Sequence, residues 1–360
     1  MTERVLIKGN EAIGEAAIRA GCRAYFGYPI TPQTELLEYM SRRMPEEGRV
    51  FVQAESELAA ISMVFGAATT GARAMTSSSG PGISLMQEGL SYMAGCELPA
   101  VVVNVQRAGP GLGGILVAQG DYLQATKGGG HGDYHLIVLA PNSVQEAMDL
   151  TALAFDLADR YRNPVMLLAD AIIGQVKEPV ILRDYVPRDV AKPWALTGAK
   201  GRKKNIIRSL LLDPLALEAH NRHLDEKYRA IAAEEVRYKE LMAEDAEVVL
   251  VAYGTPSRVA QTVVKQARAE GMRVGLFRPV SLWPFPYARL EELARSARAF
   301  VVVELSQGQL IEDVHLATKD RVPVHLCNRL GGLVPSAGEV MARVREAADR
   351  QAQTAGWRRG

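Results

Sequence analysis

The chain is predicted to be an α/β protein with two parallel-sheet units joined by a polar arm. Three observations support this. Short apolar runs alternate with helix-period segments over residues 1–178. A stretch rich in proline and charge follows at 179–245, and a second, shorter alternation occupies 246–350. Strands separated by helices imply a parallel sheet covered on both faces. A length of 360 residues suits two or three domains of roughly 100–200 residues each.

In order along the first unit, residues 23–28 form a short apolar strand and 34–44 an amphipathic helix. Residues 73–76 give a second strand. Residues 100–105, apolar almost throughout, give a third of the kind buried in parallel sheets. Residues 135–140 and 164–170 supply two more. Between them, 143–158 is an amphipathic helix capped by Ser143, with Glu146 three positions on as a capping box. The arm contains Pro179, Pro187, Pro193 and Pro214, a basic run at 200–204 and a polar helix over 215–244. It is either a solvated connector or a surface that packs on a partner subunit. In the last unit, 247–254 is a strand, 257–270 a helix stopped by Gly271, 273–277 a strand, 287–296 a helix, and 298–304 and 322–327 two further strands.

Composition excludes several classes. Forty-two basic residues balance 41 acidic ones, so no charge excess points to nucleic acid or an anionic membrane. No apolar run approaches the roughly 20 residues of a membrane helix, and the first residues lack a signal-like stretch. Cys22, Cys96 and Cys327 are widely spaced. They suit reduced thiols in a cytoplasmic setting and are too few for an iron–sulfur cluster, which needs about four thiolates.

Glu57 opens an apolar helix that begins near Ser56 and, being apolar nearly all round, is expected to be buried. A desolvated carboxyl there can share a proton with a ring nitrogen. A helix-start acid favoured by the macrodipole is the alternative, and Glu55 is the nearest rival. Thr31 lies between Pro29 and Pro32 in a stiff loop after a strand, where parallel sheets bind ligands. Its hydroxyl can donate to a carboxylate, or cap a helix starting at Pro32. Arg107 ends the strand at 100–105, and its guanidinium suits either a substrate carboxylate or an edge salt bridge. Residues 109–114 match G-x-G-x-x-G after a strand. That motif suggests a nicotinamide dehydrogenase, but no amphipathic helix pattern follows it. His131 with His135, and His220 with His223, lack the setting of a metal site.

Taken together, Tyr28-Pro-Ile-Thr-Pro at 28–32, Glu-Ser-Glu at 55–57, Ser-Gly-Pro-Gly at 79–82, Gln-Arg-Ala-Gly-Pro at 106–110 and Arg-Pro-Val-Ser-Leu-Trp-Pro-Phe-Pro at 278–286 resemble the alpha subunit of a 2-oxoacid:ferredoxin oxidoreductase. The resemblance covers nearly the whole chain. It implies a thiamine diphosphate pyrimidine-binding-type domain, and a transketolase C-terminal-like α/β domain after the arm. It assigns Glu57 to cofactor activation, Thr31 and Arg107 to the substrate, and Pro29 and Ile30 to cofactor binding. No Gly-Asp-Gly occurs, so the resemblance places the diphosphate and its Mg²⁺ on a beta subunit. It places the 4Fe–4S clusters on partner subunits, which comprise beta, gamma and ferredoxin-like delta chains. The implied reaction is CoA-dependent oxidative decarboxylation of a 2-oxo acid with reduction of ferredoxin. The texture of 53–57 and 127–132 is most similar to the branched-chain (3-methyl-2-oxobutanoate) branch, with the 2-oxoglutarate branch second.

Overall fold

The computed structural model describes residues 4–188 and 190–357. It opens with β1 (Arg4–Lys8), α1 (Gly9–Arg19), β2 (Ala24–Gly27), α2 (Thr34–Glu46), β3 (Val50–Gln53), α3 (Glu57–Thr69) and β4 (Ala74–Ser78). Two short helices, α4 (Pro81–Leu85) and α5 (Gln87–Gly95), lead to β5 (Ala100–Gln106), whose seven residues are all buried. Next come α6 (Tyr122–Lys127), β6 (Ile137–Leu139), α7 (Val144–Tyr161), β7 (Pro164–Asp170), α8 (Ala171–Gln175) and β8 (Lys177–Ile181). The arm contains α9 (Pro214–Glu234) and β9 (Tyr238–Leu241). The last unit comprises β10 (Val248–Val251), α10 (Gly254–Ala269), β11 (Val274–Pro279), β12 (Ser281–Trp283), α11 (Tyr287–Leu293), β13 (Ala299–Glu304), α12 (Leu310–Thr318), β14 (Val324–Asn328) and α13 (Ala337–Trp357).

The first sheet runs β12-β6-β7-β5-β4-β2-β3, parallel except for β12. Four adjacent strands, β5, β4, β2 and β3, release the chain at one carboxyl edge. That is where open parallel sheets bind ligands. The second sheet runs β14-β13-β10-β11-β9, parallel except for β9. The two sheets trade strands. The arm's β9 joins the second sheet, and β12 leaves the last unit to pair with β6.

Several elements differ from the sequence expectation. The arm's helix ends at Glu234 instead of continuing to 244, because Tyr238–Leu241 pairs with β11 and stacks Tyr238 on Phe277 at 5.2 Å. The helix also packs on this chain itself. It buries Leu224, Tyr228 and Ile231, and Lys227 reaches Glu97. The strand at 177–181 pairs antiparallel with β1, so the arm leaves from a two-stranded ribbon. Ser143 caps α7 as expected, through Glu146 N at 3.2 Å, but the Glu146 carboxylate closes on Asn142 N instead of on Ser143. It is drawn there while binding Arg278 bidentately across the two units.

Candidate active site

The loop at 28–33 is pinned from three sides. Asn10 Nδ2 donates to the Pro32 carbonyl at 2.8 Å, Gln33 Nε2 to the Tyr28 carbonyl at 3.1 Å, and Arg107 Nη1 to the Thr31 carbonyl at 2.9 Å. Gln33 is itself held by Ser77 Oγ at 2.7 Å, and Ser77 by Tyr25 at 2.6 Å. Helix α2 begins at Thr34 with Gln33 at its cap position, so Thr31 does not cap it. Thr31 instead stands half-buried in a braced turn. Pro29 is exposed and Ile30 half-buried beside it.

Glu57 is the first residue of α3, behind the cap Ser56, whose Oγ accepts from Ala59 N at 3.1 Å. It is 5% exposed. Ser78 Oγ, at the end of β4, makes a long 3.4 Å contact to Glu57 Oε1. The glycine at 82 is required by space. A Cβ there would lie 2.3 Å from Glu57 Oε1 and 2.1 Å from Ser78 Oγ. Two residues earlier, a Cβ on Gly80 would touch the Arg107 side chain at 3.4 Å. The turn at 79–82 therefore has the carboxylate at one end and the guanidinium at the other.

Arg107 is 7% exposed. Its second terminal nitrogen donates to the Leu112 carbonyl at 2.9 Å, while Nε lies buried without a partner, as does Ser79 Oγ. Arg107 thus ties the loop after β5 to the loop after β2 and keeps donors free. It lines a cleft of about 370 Å³ with Gly80, Pro81, Gly109, Pro110 and Asp121. Burial raises the Asp121 carboxyl above its ordinary range, although Asn104 Nδ2 holds it at 2.9 Å. After Gly114 the chain forms a loop, exposed at Ile115 and Leu116 and buried at 117–119, and the six-residue α6 starts only at Tyr122. The dinucleotide reading of residues 109–114 has no helix to hold a pyrophosphate.

Thr31, Glu57 and Arg107 thus meet at one sheet edge. Sequence reasoning missed Asn10, Gln33 and Asp121, and named Gly82 only as part of its motif. The available signal was polar side chains in apolar strands: Ser77 and Ser78 in β4, Asn104 and Gln106 in β5. One expectation fails. Helix α3 is buried on the face bearing Ala60, Ile61 and Val64, but Leu58 is 48% exposed, and Ser62 and Gly66 also face outward. Sheet and α5 cover the inner face, and among the described residues no element covers the outer one.

Comparison with known proteins places this geometry. A solved split-gene transketolase, an inactive beta4 tetramer, shares the fold with a TM-score of 0.60 at 16% identity, over 95% of this chain and 98% of that one. Residues 15–244 match the thiamine diphosphate-binding domain of pyruvate flavodoxin/ferredoxin oxidoreductases, and 246–340 match core domain II of pyruvate:ferredoxin oxidoreductase. Fold and edge cluster together define a thiamine diphosphate-binding α/β protein.

Relatives narrow the class. The ketoisovalerate oxidoreductase subunit VorB of Methanothermobacter marburgensis is 54% identical over 95% of this chain and 97% of its own length. The 2-oxoglutarate synthase subunit KorA of the same organism is 37% identical over 96% and 99%. A solved 2-oxoglutarate:ferredoxin oxidoreductase from Magnetococcus marinus, with 2-oxoglutarate, coenzyme A and succinyl-CoA bound, gives a TM-score of 0.88 at 28% identity. It covers 96% of this chain, which spans 65% of that one. The chain belongs to the 2-oxoacid:ferredoxin oxidoreductases, as a subunit of such an enzyme. Among the described residues no helix is long and apolar enough to cross a membrane.

Proposed function

We propose that this chain supplies the pyrimidine-side half of a thiamine diphosphate site in a cytoplasmic hetero-oligomer that oxidises 3-methyl-2-oxobutanoate. The products are the branched acyl-CoA, CO₂ and reduced ferredoxin. The observation that carries the substrate choice is the 54% identity to VorB against 37% to KorA, each over nearly the full length.

The residues present fit the pyrimidine end of the cofactor. Glu57 is buried, lightly engaged, and faces a turn that only glycine permits. Bound thiamine diphosphate supplies the carbanion chemistry of decarboxylation. Glu57 would hold a proton against the pyrimidine ring nitrogen, and Pro29 and Ile30 would line the ring's approach. Arg107 uses two of its five N–H groups on backbone carbonyls and keeps the others for a carboxylate. Thr31 would donate its hydroxyl to the keto or carboxyl oxygen. A beta subunit would hold the diphosphate and Mg²⁺, and the partner subunits (beta, gamma and ferredoxin-like delta) would supply the 4Fe–4S clusters. The uncovered face of α3 supports a partner beside Glu57.

The test is CoA-dependent reduction of a low-potential acceptor by the co-expressed complex, with 3-methyl-2-oxobutanoate, 2-oxoglutarate and pyruvate compared by kcat/KM. The branched acid is expected to lead. Preference for 2-oxoglutarate would overturn the substrate choice and leave the family intact.

A further inference from the structure

Among the described residues that line the cleft beside Arg107, Asp121 brings the only carboxyl. It stands at the cap position of α6, yet its side chain accepts from none of that helix's backbone N–H groups. The usual work of an aspartate before a helix is therefore not done here. The residue is held against β5 instead. Asn104 Nδ2 donates to Asp121 Oδ2 at 2.9 Å, and Asp121 N donates to Gln106 Oε1 at 3.3 Å. Among the described residues no donor reaches Oδ1. The Arg107 guanidinium acts on this carboxyl through space, with its hydrogen bonds spent on the Thr31 and Leu112 carbonyls. An acid and a cation thus share one cleft without pairing.

The first unit does not hold this residue alone. The segment that carries Asp121 is latched to the last unit. Gln119 is fully buried; its Nε2 donates to the Tyr253 carbonyl at 3.0 Å, and its Oε1 accepts from Leu305 N at 3.0 Å. Its backbone N also donates to the Leu305 carbonyl at 2.9 Å. Gln309 closes the other side, donating to the Gly120 carbonyl at 2.8 Å and accepting from Leu123 N at 2.9 Å. Along α6, Tyr122 and Lys127 both reach the buried Asp313, at 2.5 and 2.6 Å. The two glutamines bracket Asp121 and fix the backbone on each side of it.

Burial outweighs both Asn104 and Arg107 and favours the neutral acid at Asp121. A neutral carboxyl is a donor, where an ionised one would repel a second carboxylate. We infer that Asp121 is a further substrate-contacting residue, donating from Oδ1 to a carboxylate oxygen of the 2-oxo acid held by Arg107, and that Gln119 and Gln309 of the latch are its positioning residues. The inference rests on the proposed placing of the substrate at Arg107. It gives the last unit, which bears none of Thr31, Glu57 and Arg107, a part in the catalytic cleft.

The test is steady-state turnover of 3-methyl-2-oxobutanoate by the co-expressed complex, each variant compared with wild type at the same pH. Asp121→Leu keeps the volume and removes the donor. It is expected to raise KM by about tenfold with kcat little changed. Asp121→Asn keeps a donor that does not ionise. Wild-type KM is expected to climb as pH rises, because deprotonation sets a negative charge beside the substrate carboxylate, and the Asn variant is expected to lose that climb. The other ionisable groups facing Asp121 are Arg107 and Tyr253, the latter pushed by burial well above its ordinary range, so neither titrates in this window. Gln309→Ala is expected to raise KM on its own and to add nothing in the Asp121→Leu background, whereas a purely structural glutamine would add its effect in full. Unchanged KM in Asp121→Leu, parallel pH profiles for wild type and Asp121→Asn, or full additivity would each overturn the inference while leaving the proposed function standing. A wild-type complex that turns over no 2-oxo acid would remove the proposed function, and this inference with it.

Discussion

Glu57 is legible in the sequence as a carboxylate on an apolar helix, but its surroundings are not, because they come from strands 20 or more positions away. The contact from Ser78 and the clearance over Gly82 need the parallel pairing of β2 with β4. Glu57→Gln keeps size and burial and removes the exchangeable proton. It is expected to lower kcat by about 10²- to 10⁴-fold in the assembled complex, with the melting temperature nearly unchanged. Gly82→Ala pushes a methyl into both Glu57 and Ser78, and overpacking of that kind costs about 1–3 kcal/mol. Denaturant unfolding should show that loss together with most of the activity, and an alanine variant as stable and active as wild type would contradict the packing. For Arg107, the sequence offered a substrate ligand or a salt bridge. The structure adds a third use, since its terminal nitrogens brace the Thr31 and Leu112 carbonyls. Arg107→Lys replaces a planar fork with a point charge. It is expected to raise KM for the 2-oxo acid by about tenfold, because the bracing and the carboxylate grip fail together.

At the scale of elements, β5 and α7 read correctly, whereas α1 and α13 were not read, α9 was carried past its end at Glu234, and the short edge strands were not placed. Strand β5 and helix α7 announce themselves through seven and eighteen residues of pattern. The three residues of β12 and four of β9 carry too little pattern to show which sheet they join. What fixes the joint is polar. Buried Asp170, at the end of β7, accepts from Thr255 N and Oγ1, both at 2.7 Å, at the start of α10. Gly254 makes this approach possible with φ of +56°, and a Cβ on it would stand 2.5 Å from Asp170 Oδ2. Gly254→Ala is expected to destabilise the chain by about 1–3 kcal/mol, read as a lower urea midpoint. The stacked His135 supplies a pH dependence. Burial, then the nearby Lys127 charge, push it below its ordinary value of 6.5. A depressed base stabilises the fold above its unfolded pKa, and that contribution fades as pH falls through 6.5 toward the folded value. His135→Phe keeps the stack on Trp283 without the proton. Its melting temperature should therefore fall less than wild type between about pH 7.5 and 5; parallel curves would remove His135 from the acid response.

For the whole molecule, the exchange of β9 and β12 between sheets makes the two units one folding body, with Glu146 and Arg278 paired across the joint. The sequence showed an alternation that stops and restarts, which is true of the chain order but not of the sheets. The proposed sharing of the site with partner subunits rests on composition. Three separated cysteines cannot bind a cluster, and no Gly-Asp-Gly is present for a diphosphate metal. The fold is compatible with that proposal, because the carboxyl edge bearing Thr31, Glu57 and Arg107 lies beside the exposed face of α3. A cofactor held at one end by this chain and at the other by a partner should stabilise only the assembly. A ligand at a hundredfold excess over its dissociation constant adds about 2.7 kcal/mol to whatever binds it. Thiamine diphosphate with Mg²⁺ is therefore expected to raise the melting temperature of the co-expressed complex by several degrees and that of the isolated chain by none. Glu57→Gln should shrink the shift in the complex, since it removes the pyrimidine contact and leaves the diphosphate end intact. An equal shift for chain and complex would mean that one polypeptide holds the whole cofactor, and the shared-site reading would have to be abandoned.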